Sequence, residues 1–143
     1  NIAVKTTAIL LETLHKAQVA TCVVVFGDGA SIAKPFDMPI QKVLPKLTRI
    51  APAGGTHDYT AVRFSHTLLL NRPEQRKICF VITDGEGDLS RTFEQCETAS
   101  RLGVTTVGVG IELNVSMSYP QSVTVQDIKD LATVSFKQIK LAA

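Results

Sequence analysis

Asp84 is the residue whose position says most about chemistry. It follows Val81-Ile82-Thr83, the end of an apolar run, and precedes Gly85, so its carboxylate sits where a strand gives way to a loop. A carboxylate there can hold a hard cation directly or through a water, or it can cap a turn or a helix. Thr56 is the second such residue. Gly54-Gly55 frees the backbone just before it, so its hydroxyl can be aimed at a ligand. Read alone, Thr56 or Asp58 is a capping residue for the helix that starts a few residues later. Together, Thr56 and Asp84 supply one hydroxyl and one carboxylate from two loops. Mg²⁺ wants octahedral oxygen ligation and keeps several waters, and two protein groups leave that shell short. Glu86 and Asp88 add negative charge, but the run from Asp84 to Asp88 does not continue as a calcium loop, because no glutamate follows at the required spacing. They read as solvated turn acids.

Other chemistries find less support. A phosphate loop needs G-x-x-x-x-G-K-[ST] after a strand, and the stretch Gly29 to Lys34 lacks that spacing. Gly108-Val109-Gly110 has no third glycine and lies inside a strand-like run, where it lets backbones pack closely. No G-x-S-x-G occurs to place a nucleophilic serine. His15 and His66 fall within helical patterns and read as packed or half-exposed imidazoles, whereas His57 lies in the glycine-rich loop. A stand-alone α/β enzyme would use Asp84 and His57 as an acid–base pair.

These residues need a scaffold of alternating elements. Ile2 to Lys16 reads as a helix with Ile2, Ile9, Leu10, Leu14 and Ala17 near one face. Val19 to Phe26 is a continuous β-branched apolar run, suited to a strand covered on both faces. Ser31 to Phe36 is a short edge strand limited by Pro35, and Pro39 to Leu47 a helix that Pro45 should shorten or break. Ile50 to Tyr59 is a loop and Thr60 to Leu70 a helix. Lys77 to Thr83 is a second buried strand. Ser90 is the expected N-cap of a helix with Phe93, Cys96, Ala99 and Leu102 inward, stopped by Gly103. Val104 to Ile111 is a third strand, Glu112 to Ser122 a long loop. Thr124 is the expected cap of a last helix with Val125, Ile128, Leu131 and Ala132 inward. Strands alternating with helices predict right-handed βαβ units and a mostly parallel sheet with helices on both faces. Ligands of such sheets bind beyond the carboxyl ends of the strands, which is where Asp84 lies.

Composition sets outer limits. The 143 residues suit a single domain spanning 1–143, with 45% apolar and 20% charged residues. That balance excludes a disordered tail. A net charge of +2 offers no electrostatic footprint for nucleic acid or a membrane surface. Cys22, Cys79 and Cys96 are far apart and odd in number, as expected of reduced thiols in a cytoplasmic protein. The chain starts Asn1-Ile2-Ala3 with no basic-then-apolar leader and no initiator Met, and reads as a fragment.

Gly54-Gly55-Thr56 before a helix, and an apolar strand ending Ile82-Thr83-Asp84-Gly85, resemble the von Willebrand factor A (integrin I-like) domain. The closer resemblance is to the C-terminal domain of the cobaltochelatase T subunit family. It rests on Arg72-Pro73-Glu74-Gln75-Arg76-Lys77-Ile78, on Val107-Gly108-Val109-Gly110-Ile111, and on Ser122-Val123-Thr124-Val125-Gln126-Asp127 leading to Leu131-Ala132. The first and last of these segments are the more specific.

The resemblance implies a doubly wound α/β fold. It implies a metal-ion-dependent adhesion site that takes Mg²⁺, with Thr56 as second-loop ligand and Asp84 as third-loop ligand. Gly55, His57, Asp58 and Glu86 would then border the partner surface. The D-x-S-x-S motif of such sites is absent. The family carries it on a strand before the first helix, so the chain is expected to lack its first strand, leaving a hydrophobic slot in mid-sheet. The implied function is that of a metal-dependent interaction module rather than a catalyst. It would bind an AAA+ ATPase subunit and a large chelatase subunit in a hetero-oligomer that inserts Co²⁺ into a corrin ring for cobalamin biosynthesis. The alternatives are a partner of another AAA+ ATPase in metalloenzyme activation, and a metal-free scaffold.

Overall fold

The computed structural model describes residues 2–26, 29–47, 58–85 and 87–127. In chain order they form α1 (Ile2–Lys16), β1 (Val23–Phe26), β2 (Ala30–Lys34), α2 (Ile40–Leu47), α3 (Asp58–Leu70), β3 (Lys77–Thr83), α4 (Leu89–Arg101), β4 (Val104–Ile111) and β5 (Gln121–Val125). Strands β3, β4 and β5 form a parallel sheet in that order, while β1 and β2 pair antiparallel as a separate hairpin.

The apolar runs of β3 and β4 are explained by cover on both faces. Alternate residues of a strand point to opposite sides. Cys79 and Val81 of β3 join Val104 of β4 in a cluster with Val62 of α3 and with Cys96 and Ala99 of α4. Ile78, Phe80 and Ile82 point the other way, toward Val107, Val109 and Ile111 of β4, Val125 of β5 and Ile2 of α1. Helices therefore lie on both faces, as the alternation predicts. A third cluster ties Leu11 of α1 to Ile40, Val43 and Leu47 of α2, with Val23 of β1 against it. That burial keeps α2 continuous although Pro45 lies inside its last turn and removes one intrahelical N–H donor.

Several boundaries differ from expectation, among them the second strand, which runs Ala30–Lys34 rather than Ser31 to Phe36. The strand expected from Val19 starts only at Val23. Gln18 takes a left-handed conformation (φ 60), Val19 N–H folds back to Leu14 O at 2.9 Å, and the buried Lys34 ammonium holds Thr21 O at 2.6 Å. Helix α3 starts at Asp58 rather than Thr60. The cap of α4 is Asp88, not Ser90: its carboxylate accepts the Arg91 N–H at 3.3 Å. Leu102, expected inward, is 59% exposed because the helix has ended.

The largest correction is β5. Residues 121–125 form a strand parallel to β4, with Val107 opposite Gln121 and Ile111 opposite Val125. Thr124 caps no helix there; its hydroxyl donates to Leu113 O at 3.3 Å. The expected helix beyond it lies outside the described residues. Among the described residues no helix is long and apolar enough to cross a membrane.

Candidate functional site

The carboxyl end of β3 delivers Asp84 to the surface. Thr83 is buried, and its hydroxyl donates to Gly85 O at 2.7 Å while accepting Gly85 N–H at 3.2 Å. This paired contact tightens the strand exit and leaves the intervening Asp84 side chain exposed. The starts of α3 and α4 flank that loop. Arg91 of α4 lies over the Tyr59 ring of α3 at 4.0 Å, an arrangement that draws the guanidinium to the ring face. Arg91 also meets the capping Asp88, at 3.7 Å. The strand-end rim thus carries Asp88 beside one guanidinium, with the Asp84 carboxylate exposed at the strand exit.

Under the rim lies a polar contact that the sequence does not signal. Asp58, the first residue of α3, is fully buried and accepts a hydrogen bond from the Tyr119 hydroxyl at 3.1 Å. Asp58 was expected to border a partner surface; its burial corrects that expectation, because its carboxylate faces inward and anchors the 112–120 loop. Burial raises the Tyr119 hydroxyl pKa, and the Asp58 charge raises it further, so the phenol stays protonated as the donor. Tyr119 fits because Gly108 of β4 has no side chain: a Cβ there would lie 2.5 Å from the Tyr119 ring. The expected role of Gly108 in close packing is therefore met.

A second buried network lies between α3, α4 and β4. The Nε2 of His66 lies 2.7 Å from the Thr106 hydroxyl, and its Nδ1 lies 3.0 Å from the Gln95 amide nitrogen. With the Gln95 amide donating to Nδ1, the remaining proton sits on Nε2. Burial lowers the His66 pKa to about 4, so the ring is neutral and structural, as its place in a helical stripe suggested. Desolvation likewise pushes the Cys79 thiol up to about 12 and the Cys96 thiol up to about 11, so both behave as small apolar side chains.

Of the expected site residues, Asp84 stands at the rim and Asp58 beneath it. Gly55, Thr56, His57 and Glu86 lie outside the described residues. Among the described residues no group of three or more His, Cys, Asp and Glu side chains could hold a metal ion. Asp84 and Asp88 are too small a donor set for a Mg²⁺ shell, so the described residues alone do not fit the metal. Nothing in the sequence marked Tyr119 or the Thr83 turn. The only hint was Gly108, since glycine inside a strand marks close backbone approach.

The sequence pattern of the von Willebrand factor type A domain matches residues 2–86, more than half of the chain. A comparison with curated protein sequences finds no match. Among solved structures, proximal thread matrix protein 1 from the mussel byssus, with a zinc-occupied MIDAS motif, is 16% identical with a TM-score of 0.74; the match covers 98% of this chain and 43% of that one. The chain thus spans less than half the length of that protein. BatB from Bacteroides thetaiotaomicron is 17% identical with a TM-score of 0.77, covering 97% of this chain and 88% of that one. The SpRpn10 VWA domain is 14% identical with a TM-score of 0.69, covering 91% and 79%. At such identities the likenesses speak for the fold, and the sequence pattern speaks for the family. The chain belongs to the von Willebrand factor type A domain family.

Proposed function

We propose that the chain is a protein-interaction module whose contact face is the rim at the carboxyl ends of its strands. The observation that carries this reading is Asp84, exposed at the end of a buried strand and held there by the Thr83–Gly85 turn. On this reading Asp84 and Thr56 are the two oxygen ligands this chain contributes toward a divalent cation, Mg²⁺ by the preference of hard oxygens. A partner carboxylate shares that cation. The zinc in the mussel byssus protein supports cation binding in the family in general.

The partner we favour is an AAA+ ATPase subunit, working with a large chelatase subunit in a cobaltochelatase-type complex of cobalamin biosynthesis. The Arg72–Ile78 and Ser122–Asp127 segments support this choice. Three free cysteines fit a cytoplasmic setting. The test is affinity of the chain for the ATPase subunit with Mg²⁺ and with EDTA, in wild type, Asp84→Ala and Thr56→Ala. Loss of binding in EDTA and in both variants, with unchanged thermal stability, is expected. Equal affinity throughout refutes the reading.

A second reading is a cation-independent scaffold. It is favoured by the absence, among the described residues, of any group of three or more His, Cys, Asp and Glu side chains that could hold a metal ion. It is distinguished by partner binding that survives EDTA.

A further inference from the structure

Lys34 ends β2 and is only 3% exposed. Lysine is almost never buried so far without a charged partner. Its ammonium has three N–H donors. Two of them go to main-chain carbonyls, Thr21 O at 2.6 Å and Pro35 O at 3.1 Å. Among the described residues no carboxylate forms an ion pair with it. Burial pushes the ammonium below its usual pKa, and the charge of Asp37, too far off to pair, does not make up the loss. Lys34 is thus a buried cation short of negative charge.

Beside it lies a pocket of about 250 Å³. Drug-sized ligands occupy roughly 300–1,000 Å³, so this pocket suits a smaller molecule. The end of α1 and the turn after it form one wall, through His15 and Val19. The link from β2 to α2 and the start of α2 form the other, through Lys34, Asp37, Met38 and Ile40. Val19 is 44% exposed, apolar surface that a ligand side chain would cover. Apart from Lys34 and Asp37, the lining holds no Lys, Arg, Asp or Glu. Asp37 is exposed. A simple anion would satisfy Lys34 and be repelled by Asp37, whereas a zwitterion satisfies both.

The pocket is remote from the rim. Phe36, also on its lining, lies under the Arg72 guanidinium at 4.2 Å. Arg72 precedes β3 and Asp84 follows it, so the seven residues of β3 separate the two places, at roughly 3.3 Å per residue.

We propose that this pocket binds a free apolar amino acid. The ligand carboxylate accepts the remaining Lys34 N–H in a charge-assisted hydrogen bond. Its ammonium faces Asp37, and its side chain rests on Val19, Met38 and Ile40. Bound there, it ties the end of α1 to the start of α2, beside the cluster of Leu11, Ile40, Val43 and Leu47. The site is independent of any metal at the rim.

The test titrates the 143-residue chain with L-leucine, 4-methylpentanoate and isopentylamine. The last two keep the leucine side chain and drop the ammonium or the carboxylate. Amide NMR shifts locate the binding and measure its affinity. Saturable leucine shifts centred on residues 15–21 and 34–41 are expected, with each analogue weaker by roughly tenfold or more. Lys34→Met should abolish leucine binding. Asp37→Asn changes an exposed residue, so it should fold normally and bring leucine down to the affinity of 4-methylpentanoate. If Lys34→Met does not fold, Asp37→Asn alone decides. The proposal is overturned by the absence of saturable leucine binding, by shifts centred on the rim, or by 4-methylpentanoate binding as tightly as leucine. Full leucine affinity in either folded variant overturns it too.

Discussion

Replacing Gly108 by alanine should unseat the strongest buried contact beneath the rim. The new Cβ would lie 2.5, 2.6 and 2.7 Å from three Tyr119 side-chain atoms, where ordinary contact starts near 3.4 Å. Tyr119 has nowhere to retreat: it is fully buried, packed in one cluster with Val62, Cys79, Val81 and Cys96. Overpacking of a filled core costs about 1–3 kcal/mol. Displacing the ring also breaks the hydroxyl bond to Asp58, and hydrogen bonds to charged groups contribute about 1.5–3 kcal/mol. The sum is about 2.5–6 kcal/mol, a large part of the roughly 5–15 kcal/mol that holds a domain folded. Urea unfolding of wild type, Gly108→Ala, Tyr119→Ala and the double variant measures it. Because Tyr119→Ala vacates the space that the new methyl needs, the double variant should be more stable than the summed singles predict, by about 1–3 kcal/mol. A Gly108→Ala protein within about 0.5 kcal/mol of wild type, or strict additivity in the cycle, refutes the close approach.

Four further outcomes are expected. Asp84→Ala should change stability by less than about 0.5 kcal/mol, measured by thermal unfolding, because its side chain is exposed. Asp88→Ala should cost about 1 kcal/mol by losing the α4 cap, read from the urea midpoint. His66 has its folded pKa lowered from 6.5 to about 4, so the unfolded chain binds more protons between those values. Stability is then full above pH 6.5 and falls as pH drops toward 4, by at most about 3 kcal/mol from this residue; NMR titration showing His66 protonation near pH 6.5 would contradict it. Cys22, half-buried, should react with a thiol reagent well before the buried Cys79 and Cys96 in the native protein, as peptide mass mapping can show.

Much of the scaffold was legible because burial on both sides leaves a mark. The runs Lys77–Thr83 and Val104–Ile111 are apolar without alternation, which only a two-faced strand requires, and both form strands with the expected bounds. Asp84 was legible for the same reason, since the end of such a run fixes where its loop begins. Strand β5 was not. A parallel crossover ordinarily needs roughly a dozen residues or more and a helix, and residues 112–120 make the return with neither. Glu112 instead turns sharply in a left-handed conformation (φ 55), and its N–H meets Val125 O at 2.8 Å. Val123 and Val125 serve a strand as well as a helix over so short a stretch. Asp58 misled because an aspartate at a helix start ordinarily faces water. Its buried partner, Tyr119, is 61 residues away, a separation that local pattern cannot bridge.

The division of the strands into a hairpin and a three-stranded sheet has a consequence for how the molecule comes apart. Among the described residues no ladder of backbone bonds crosses from β1–β2 to β3–β5. Helix α3 touches β1, β2, β3 and β4, and α1 packs against both groups through Ile2 and Leu11, so cooperativity between the halves rests largely on side-chain packing against these two helices. Loosening them should let the hairpin melt ahead of the sheet, turning one sharp transition into two and separating the chain into distinct foldons.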